Sequence, residues 1–191
     1  MKPIERGEVL GLAEYEQIRP RFRARVIEEK KSRRTPIGDR ATALFENRDT
    51  VLLQIQEMLR TERITRESAI AHEMETYNAF VPADGELSCT VMIEIDDERA
   101  REEFLVAARG IEDAISIVID GRAFVGKTTP DRVLPDRASA VIYLKFALDA
   151  DAVRALKKGT EDVALRVDHP AYHAETKIAP VVLASIREDL A

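Results

Sequence analysis

Leu87-Ser88-Cys89-Thr90-Val91-Met92-Ile93-Glu94-Ile95 is the stretch on which the fold class turns. Its odd positions are Leu, Cys, Val, Ile and Ile, and three of its four even positions are polar. A period of two over nine residues predicts a strand with one buried face, and it places Cys89 inward as a small core residue. Upstream of residue 82 the apolar positions recur at helical spacing; downstream, alternation dominates. Helices followed by strands predict an α+β fold, with N-terminal helices packed on a mostly antiparallel sheet from the C-terminal half. The chain is expected to form one domain over residues 1–191, with a possible helical subdomain at 1–81 and a sheet subdomain at 82–191.

Working back from Leu87, a helix ends at Pro82 after the stripe Ile70, Met74, Tyr77 and Val81, with Thr65 as its cap. The segment Asp49–Arg63 carries the clearest apolar arc, formed by Val51, Leu52, Ile55, Met58 and Leu59, with Asp49 as N-cap. Ala41–Glu46 is a short strand candidate, and Thr35-Pro36-Ile37-Gly38 a break. Two further helices are expected before it, over 8–18 and from Pro20 to about Arg34. Working forward, Asp96 caps a helix that stops at Gly110. Ile115, Ile117 and Ile119 lead into an Asp120-Gly121 hairpin with Ala123–Val125 returning. Residues 127–138 form a polar loop, and Ile142–Leu148 is the next strand. A helix from Asp149 to Gly159, strands at Val163–Val167 and Tyr172–Ile178, and a helix opened by Pro180 complete the chain.

The 191 residues are 45% hydrophobic and 34% charged, with a net charge of −6. No apolar run is long enough to span a bilayer, and no secretory leader is recognisable, so a cytoplasmic protein without membrane contact is expected. A single cysteine excludes an internal disulfide and a thiolate metal cluster. Residues 19–40 hold nine Arg or Lys against three acidic side chains. Such a cluster suits an acidic partner, with Arg21, Arg25 and Arg33 as its surface. The low pI and the scarcity of interleaved aromatics argue against nucleic acid.

Signatures of catalysis are missing: there is no glycine-rich phosphate loop, nucleophile elbow or H-E-x-x-H. Lys127-Thr128-Thr129 follows a hairpin strand and not a βα turn, so it is no phosphate loop. His72 points about 160° from Met74, towards solvent. With Ile55 at 0° on its helix, Glu62 lies near −20° and Arg48 near +20°, roughly, inside the apolar arc at its two ends. Gln54 and Gln56 flank that arc, and Glu57 faces away. His169 shares parity with Val163, Leu165 and Val167 and so extends a buried face, while His173 and Glu175 look outward.

Leu44-Phe45-Glu46-Asn47-Arg48-Asp49-Thr50, then Gln54-Ile55-Gln56-Glu57-Met58, then Glu73 with Tyr77-Asn78, then His169-Pro170-Ala171-Tyr172 resemble a bacterial family known as a domain of unknown function. The opening from Tyr15-Glu16 to Gly38-Asp39 resembles it too. The resemblance implies a cytoplasmic accessory protein of a redox or peroxide-response system. Its implied partners are rubrerythrin-like proteins or iron–sulfur proteins like heterodisulfide reductase subunits, and no cofactor is implied. The matching candidates are Glu46, Asn47, Arg48, Asp49, Gln54, Gln56, Glu57, Glu73, Tyr77, Asn78, His169 and Tyr172, to which the helical arc adds Glu62. An alternative is a metal- or small-ligand-binding enzyme built on Glu57, Glu62, Glu73 and His169. The Phe45–Thr50 turn, the helix after it and the His169-Pro170 turn are expected to meet in one functional pocket, with His169, Glu73 and Tyr77 as partners for Arg48 and Glu62.

Overall fold

The computed structural model describes residues 1–128 and 132–190. Helix α1 (Leu12–Lys31) is followed by strands β1 (Arg34–Ile37) and β2 (Ala41–Glu46), then by α2 (Arg48–Thr61) and α3 (Glu67–Asn78). The remainder runs β3 (Glu86–Ile93), α4 (Glu98–Ala107), β4 (Ile115–Ile119), β5 (Arg122–Val125), β6 (Val141–Ala147) and α5 (Ala150–Lys158). Strands β7 (Val163–His169) and β8 (Tyr172–Lys177) and helix α6 (Pro180–Glu188) finish the chain. The fold is α+β, as the change of period predicts.

The strands form two antiparallel sheets and not one: β1-β2-β3-β6 and β5-β4-β7-β8. The first sheet takes two strands from the N-terminal half. Strand β2 pairs with β3 over its whole length, from Ala41 opposite Ile93 to Glu46 opposite Ser88, and this buries Ala41, Ala43 and Phe45. The Thr35-Pro36 segment does end a helix, yet it continues as an edge strand, where a residue without an N–H is tolerated. Inner faces of the two sheets bury Phe45, Cys89 and Leu144 against Ile117, Leu165 and Val167. Cys89 is fully buried, and burial pushes its thiol well above the ordinary range.

Both sides of this sandwich are drawn together. On one side, Lys127 and Lys145 exchange backbone hydrogen bonds of 2.9 Å. A Cβ on neighbouring Gly126 would come within 2.9 Å of the Phe146 ring, so only glycine passes there. On the other side, the Tyr172 hydroxyl donates to the Ile37 carbonyl and accepts from Arg40 N at 3.1 Å.

Local signals place most boundaries. Asp120 and Gly121 both have positive φ, as a two-residue type I′ hairpin requires. Some caps differ by a residue or two from those expected. Asn47, not Asp49, caps α2 and exchanges bonds with Thr50, Asp97 caps α4, and Arg66 precedes α3 without a side-chain cap. Helix α1 runs unbroken through Pro20 where two helices were expected. Pro20 sits on the exposed side, where water can satisfy the freed carbonyl, while Tyr15 and Val26 bury the other side on α2. Val51, Ile55, Leu59, Ile70, Met74 and Phe80 form a second core, which Tyr143 of β6 joins from the outer face of the first sheet.

Candidate functional site

That outer face is polar at its centre. Glu46 ends β2 only 1% exposed and accepts three hydrogen bonds: from Thr50 Oγ1, from Thr90 Oγ1 at 2.5 Å and from Gln54 Nε2 at 3.0 Å. Thr50 and Gln54 come from α2 and Thr90 from β3, so one carboxyl joins two strands to a helix. Asn47 extends the network to α1 by donating to Glu29 at 2.5 Å.

Several candidate residues of the motif turn outward from this network to grip the N-terminal segment. Arg48 pairs with Glu8 and donates to the carbonyls of Lys2 and Pro3, at 3.1 and 3.2 Å. Gln56 bonds both backbone groups of Leu10, and Asn78 both of Ile4. Asp49 pairs with Arg25 at 2.5 Å. Glu57 receives Arg19 through two bonds, at 2.7 and 2.8 Å, and the Tyr15 hydroxyl at 2.6 Å. The Arg19 guanidinium, with Tyr15 assisting, holds the Glu57 carboxyl down to about 2. Glu57 therefore does not face away, because α1 packs over it. A dense polar motif here serves largely as a clasp, satisfying part-buried and exposed backbone that no sheet or helix pairs.

Three expectations fail. Arg33 is no partner surface. It is 1% exposed, paired with Asp189 and bonded to the Phe45 carbonyl and Ser185 Oγ, each at 2.8 Å. Burial pushes the Asp189 carboxyl up to about 6 against the pull of Arg33. Of the other two surface candidates, Arg21 is exposed and Arg25 is exposed but already paired with Asp49. Glu62 is not inside the arc either: α2 stops at Thr61, and Glu62 is its exposed C-terminal cap.

The third concerns the His169 turn. Ala171 N donates to His169 Nδ1 at 3.1 Å, so Nε2 carries the proton and donates to the Arg109 carbonyl, also at 3.1 Å. Arg48 is bonded to Glu8, and among the described residues His169 has no hydrogen bond to Glu46, Asn47, Arg48, Asp49, Glu73 or Tyr77. Tyr172 lies beside Arg40, whereas Glu46 is six residues further along β2, on the order of 20 Å away. His173 and Glu175 do look outward, as alternation predicts.

Glu73 and Tyr77 face a different neighbourhood. Tyr77 packs edge-on against Phe80 at 5.9 Å, and Phe80 stacks on Tyr143 at 4.1 Å and 12°. The Arg132 guanidinium carbon lies 4.7 Å from the Phe80 ring centre and 5.0 Å from that of Tyr143. Near-equal distances place it alongside the stacked pair and not over one face. Burial raises the Tyr143 and Tyr77 hydroxyls; Glu46 adds to the first, Tyr143 and Glu73 to the second, and Arg132 opposes both. Tyr143 stands opposite Thr90 on β3, so the Glu46 network ends one strand short of this ring.

Between Ala79, Phe80 and β6 opens a shallow crevice of about 40 Å³ with Arg132, Tyr143, Lys127 and Lys145 in its walls. Lys145 is bridged to Glu86 at 3.1 Å, and Lys127 is exposed. Sequence reading missed this group, although a signal existed. Tyr143 and Lys145 are the polar positions of a strand whose Ile142, Leu144 and Phe146 point inward. Lys127 and Arg132 belong to the stretch read as a polar loop, of which residues 129–131 lie outside the described residues, including Thr129 of the dismissed Lys127-Thr128-Thr129 motif. Among the described residues, no three His, Cys, Asp or Glu side chains are grouped to hold a metal ion. Among the described residues, no helix is long and apolar enough to cross a membrane.

A protein family described as "Protein of unknown function (DUF3501)" matches residues 3–190. A crystal structure of a novel protein of unknown function from Burkholderia pseudomallei K96243 is similar over 100% of both chains, with 33% identity and a TM-score of 0.92. Among curated proteins nothing matches.

Proposed function

The chain belongs to the DUF3501 family, and from that premise we propose that it is an accessory protein that works by binding, with the Arg132 crevice as the seat of a small anionic ligand. One observation carries this reading: Arg132 is half-buried beside the Phe80–Tyr143 stack, in a crevice that also holds Lys127 and Lys145. A guanidinium held against aromatic carbon is weakly hydrated and keeps its donor fork in place, which favours a carboxylate or similar planar anion. The motif residues support it from behind. By fixing β2, β3 and α2 to one another they fix the face on which Tyr143 stands. Such a role needs no cofactor. Its setting, a cytoplasmic redox or peroxide-response system with rubrerythrin-like or iron–sulfur partners, is supported by the resemblance of the motif alone.

Titration calorimetry of the intact chain with 3-phenylpropionate, an anion with an aromatic ring, tests the reading. Saturable binding is expected, lost in Arg132→Gln at unchanged melting temperature. Absence of binding, or binding that Arg132→Gln leaves intact, overturns it.

A further inference from the structure

Strand β8 ends its sheet, with β7 on one side and, among the described residues, no strand on the other. Which of its backbone groups face the open side follows from its pairing with β7. Ile178 N donates to the Val163 carbonyl at 2.9 Å, so those two residues form a hydrogen-bonded pair. The alternation of an antiparallel ladder then makes Leu165–Thr176, Val167–Ala174 and His169–Tyr172 the next such pairs. The N–H and C=O groups of His173, Glu175 and Lys177 therefore point away from the sheet, and among the described residues they have no hydrogen-bond partner. The turn after β1 lies under this strand and not beside it. Gly38 N reaches the Thr176 hydroxyl, and the Tyr172 hydroxyl reaches the Ile37 carbonyl, both on the inner face. An open edge of this kind pairs with other strands unless it is guarded, and charge is the common guard. Here the guard is the exposed row His173, Glu175 and Lys177 on the outer face, with Glu175 bridged to Arg166 at 2.5 Å and Lys177 to Asp162 at 3.7 Å.

We infer that this guard admits a second copy of the chain, with β8 antiparallel to the partner's β8 about a two-fold axis at Thr176. Outward-facing residues must meet outward-facing residues, which leaves axes at Ala174, Glu175 or Thr176. An axis at Glu175 sets that carboxylate against the partner's Glu175, which is destabilising. An axis at Ala174 sets Lys177 against the uncharged Ala171 of the partner subunit and needs the Ala171 N–H, already given to His169 Nδ1 at 3.1 Å. An axis at Thr176 sets Glu175 against the partner's Lys177 and Lys177 against the partner's Glu175, and these two pairs exchange four backbone hydrogen bonds. Charge on the outer face then alternates through Arg166, Glu175 and the partner's Lys177. Thr176 meets the partner's Thr176 at the axis, a favourable cross-strand pair. The sheet β5-β4-β7-β8 continues into its copy as eight strands, an isologous contact that closes on itself. This surface lies on other elements than the Arg132 crevice and does not depend on it.

Light scattering on the eluting intact chain tests this, with an expected mass of twice one chain. Glu175→Pro removes an N–H that pairs with nothing inside the single chain, so it is expected to give folded single chains with the circular dichroism of the parent. Lys177→Glu and Glu175→Lys are each expected to weaken the dimer at least about tenfold, because two attractive cross-strand pairs become repulsive. Mixed together, the two charge variants are expected to recover the dimer as a heterodimer, since one then brings two acids to the edge and the other two cations. A parent that elutes as single chains, or a dimer that Glu175→Pro leaves intact, overturns the proposal. Charge variants that stay apart on mixing overturn it as well, and should Glu175→Pro fail to fold, the mixing experiment decides alone.

Discussion

Gln56 of α2 holds Leu10 by both of its backbone groups: Leu10 N donates to Oε1 at 2.7 Å, and Nε2 donates to the Leu10 carbonyl at 3.3 Å. A primary amide carries an acceptor and a donor side by side on one planar head, so it can serve an N–H and a C=O of one residue at once. Asn78 does the same for Ile4, with bonds of 2.7 and 3.0 Å. Together they pin an N-terminal segment that lacks sheet partners.

Removing either clasp should loosen that segment before it affects the rest. Gln56→Ala and Asn78→Ala are each expected to cost about 1–2 kcal/mol, because two part-buried backbone groups lose their partners. Amide exchange at residues 4–10 should accelerate in both variants while β3 and β6 stay protected. Uniform acceleration across the chain would show that the clasp holds the whole fold.

The Glu57–Arg19–Tyr15 group predicts an acid limb in stability. Glu57 is held at about 2 in the folded chain, against 4.5 when unperturbed. A lowered carboxyl value contributes stability that is present above about pH 4.5 and lost as the pH falls towards 2. Glu57→Gln should therefore flatten the decline of the urea midpoint between those values and cost about 1–3 kcal/mol near neutrality. Parallel pH profiles for the two proteins would refute the assignment.

Arg33 and Asp189 tie the start of β1 to the end of α6 in a buried pair. Arg33→Met alone strands a buried carboxyl and is expected to cost about 3–5 kcal/mol. Because burial already pushes Asp189 up to about 6, losing the cation should make the variant weaken further as the pH rises through that value and beyond. Arg33→Met with Asp189→Leu should recover most of the loss, since an apolar pair fills the same space without desolvating charge. Chemical denaturation of the three proteins decides it; a double variant no better than Arg33→Met would show that packing, not charge, governs the site.

Gly38 closes the far side of the sandwich at φ +62°, where an added Cβ would lie 2.4 Å from the Tyr172 hydroxyl. Gly38→Ala combines backbone strain with that clash and should cost about 2 kcal/mol or more. Tyr172→Phe, which loses the bonds to Ile37 and Arg40 but no backbone freedom, should cost less, about 1–2 kcal/mol. A thermal melt in which Gly38→Ala matches the parent would remove this closure from the account.

What the amino-acid order determined by itself is whatever one element settles alone. The alternation of Leu87–Ile95 put Cys89 in the core, Asp120-Gly121 set a hairpin, and the arc Val51–Leu59 set the buried side of α2, because each depends on a backbone period or a turn geometry. Tertiary structure decided where long polar side chains find partners. Nothing local distinguishes Arg33, buried on Asp189, from exposed Arg21; the difference is the arrival of α6, more than 150 residues later in the chain. In the same way Pro20 does not end α1 because α2 supplies burial on its other side. The crevice around Arg132 joins Ala79 and Phe80, just past the end of α3, to β6, so its walls meet only when the chain has folded. Period is a property of neighbours along the chain, whereas ion pairing and desolvation are properties of neighbours in space.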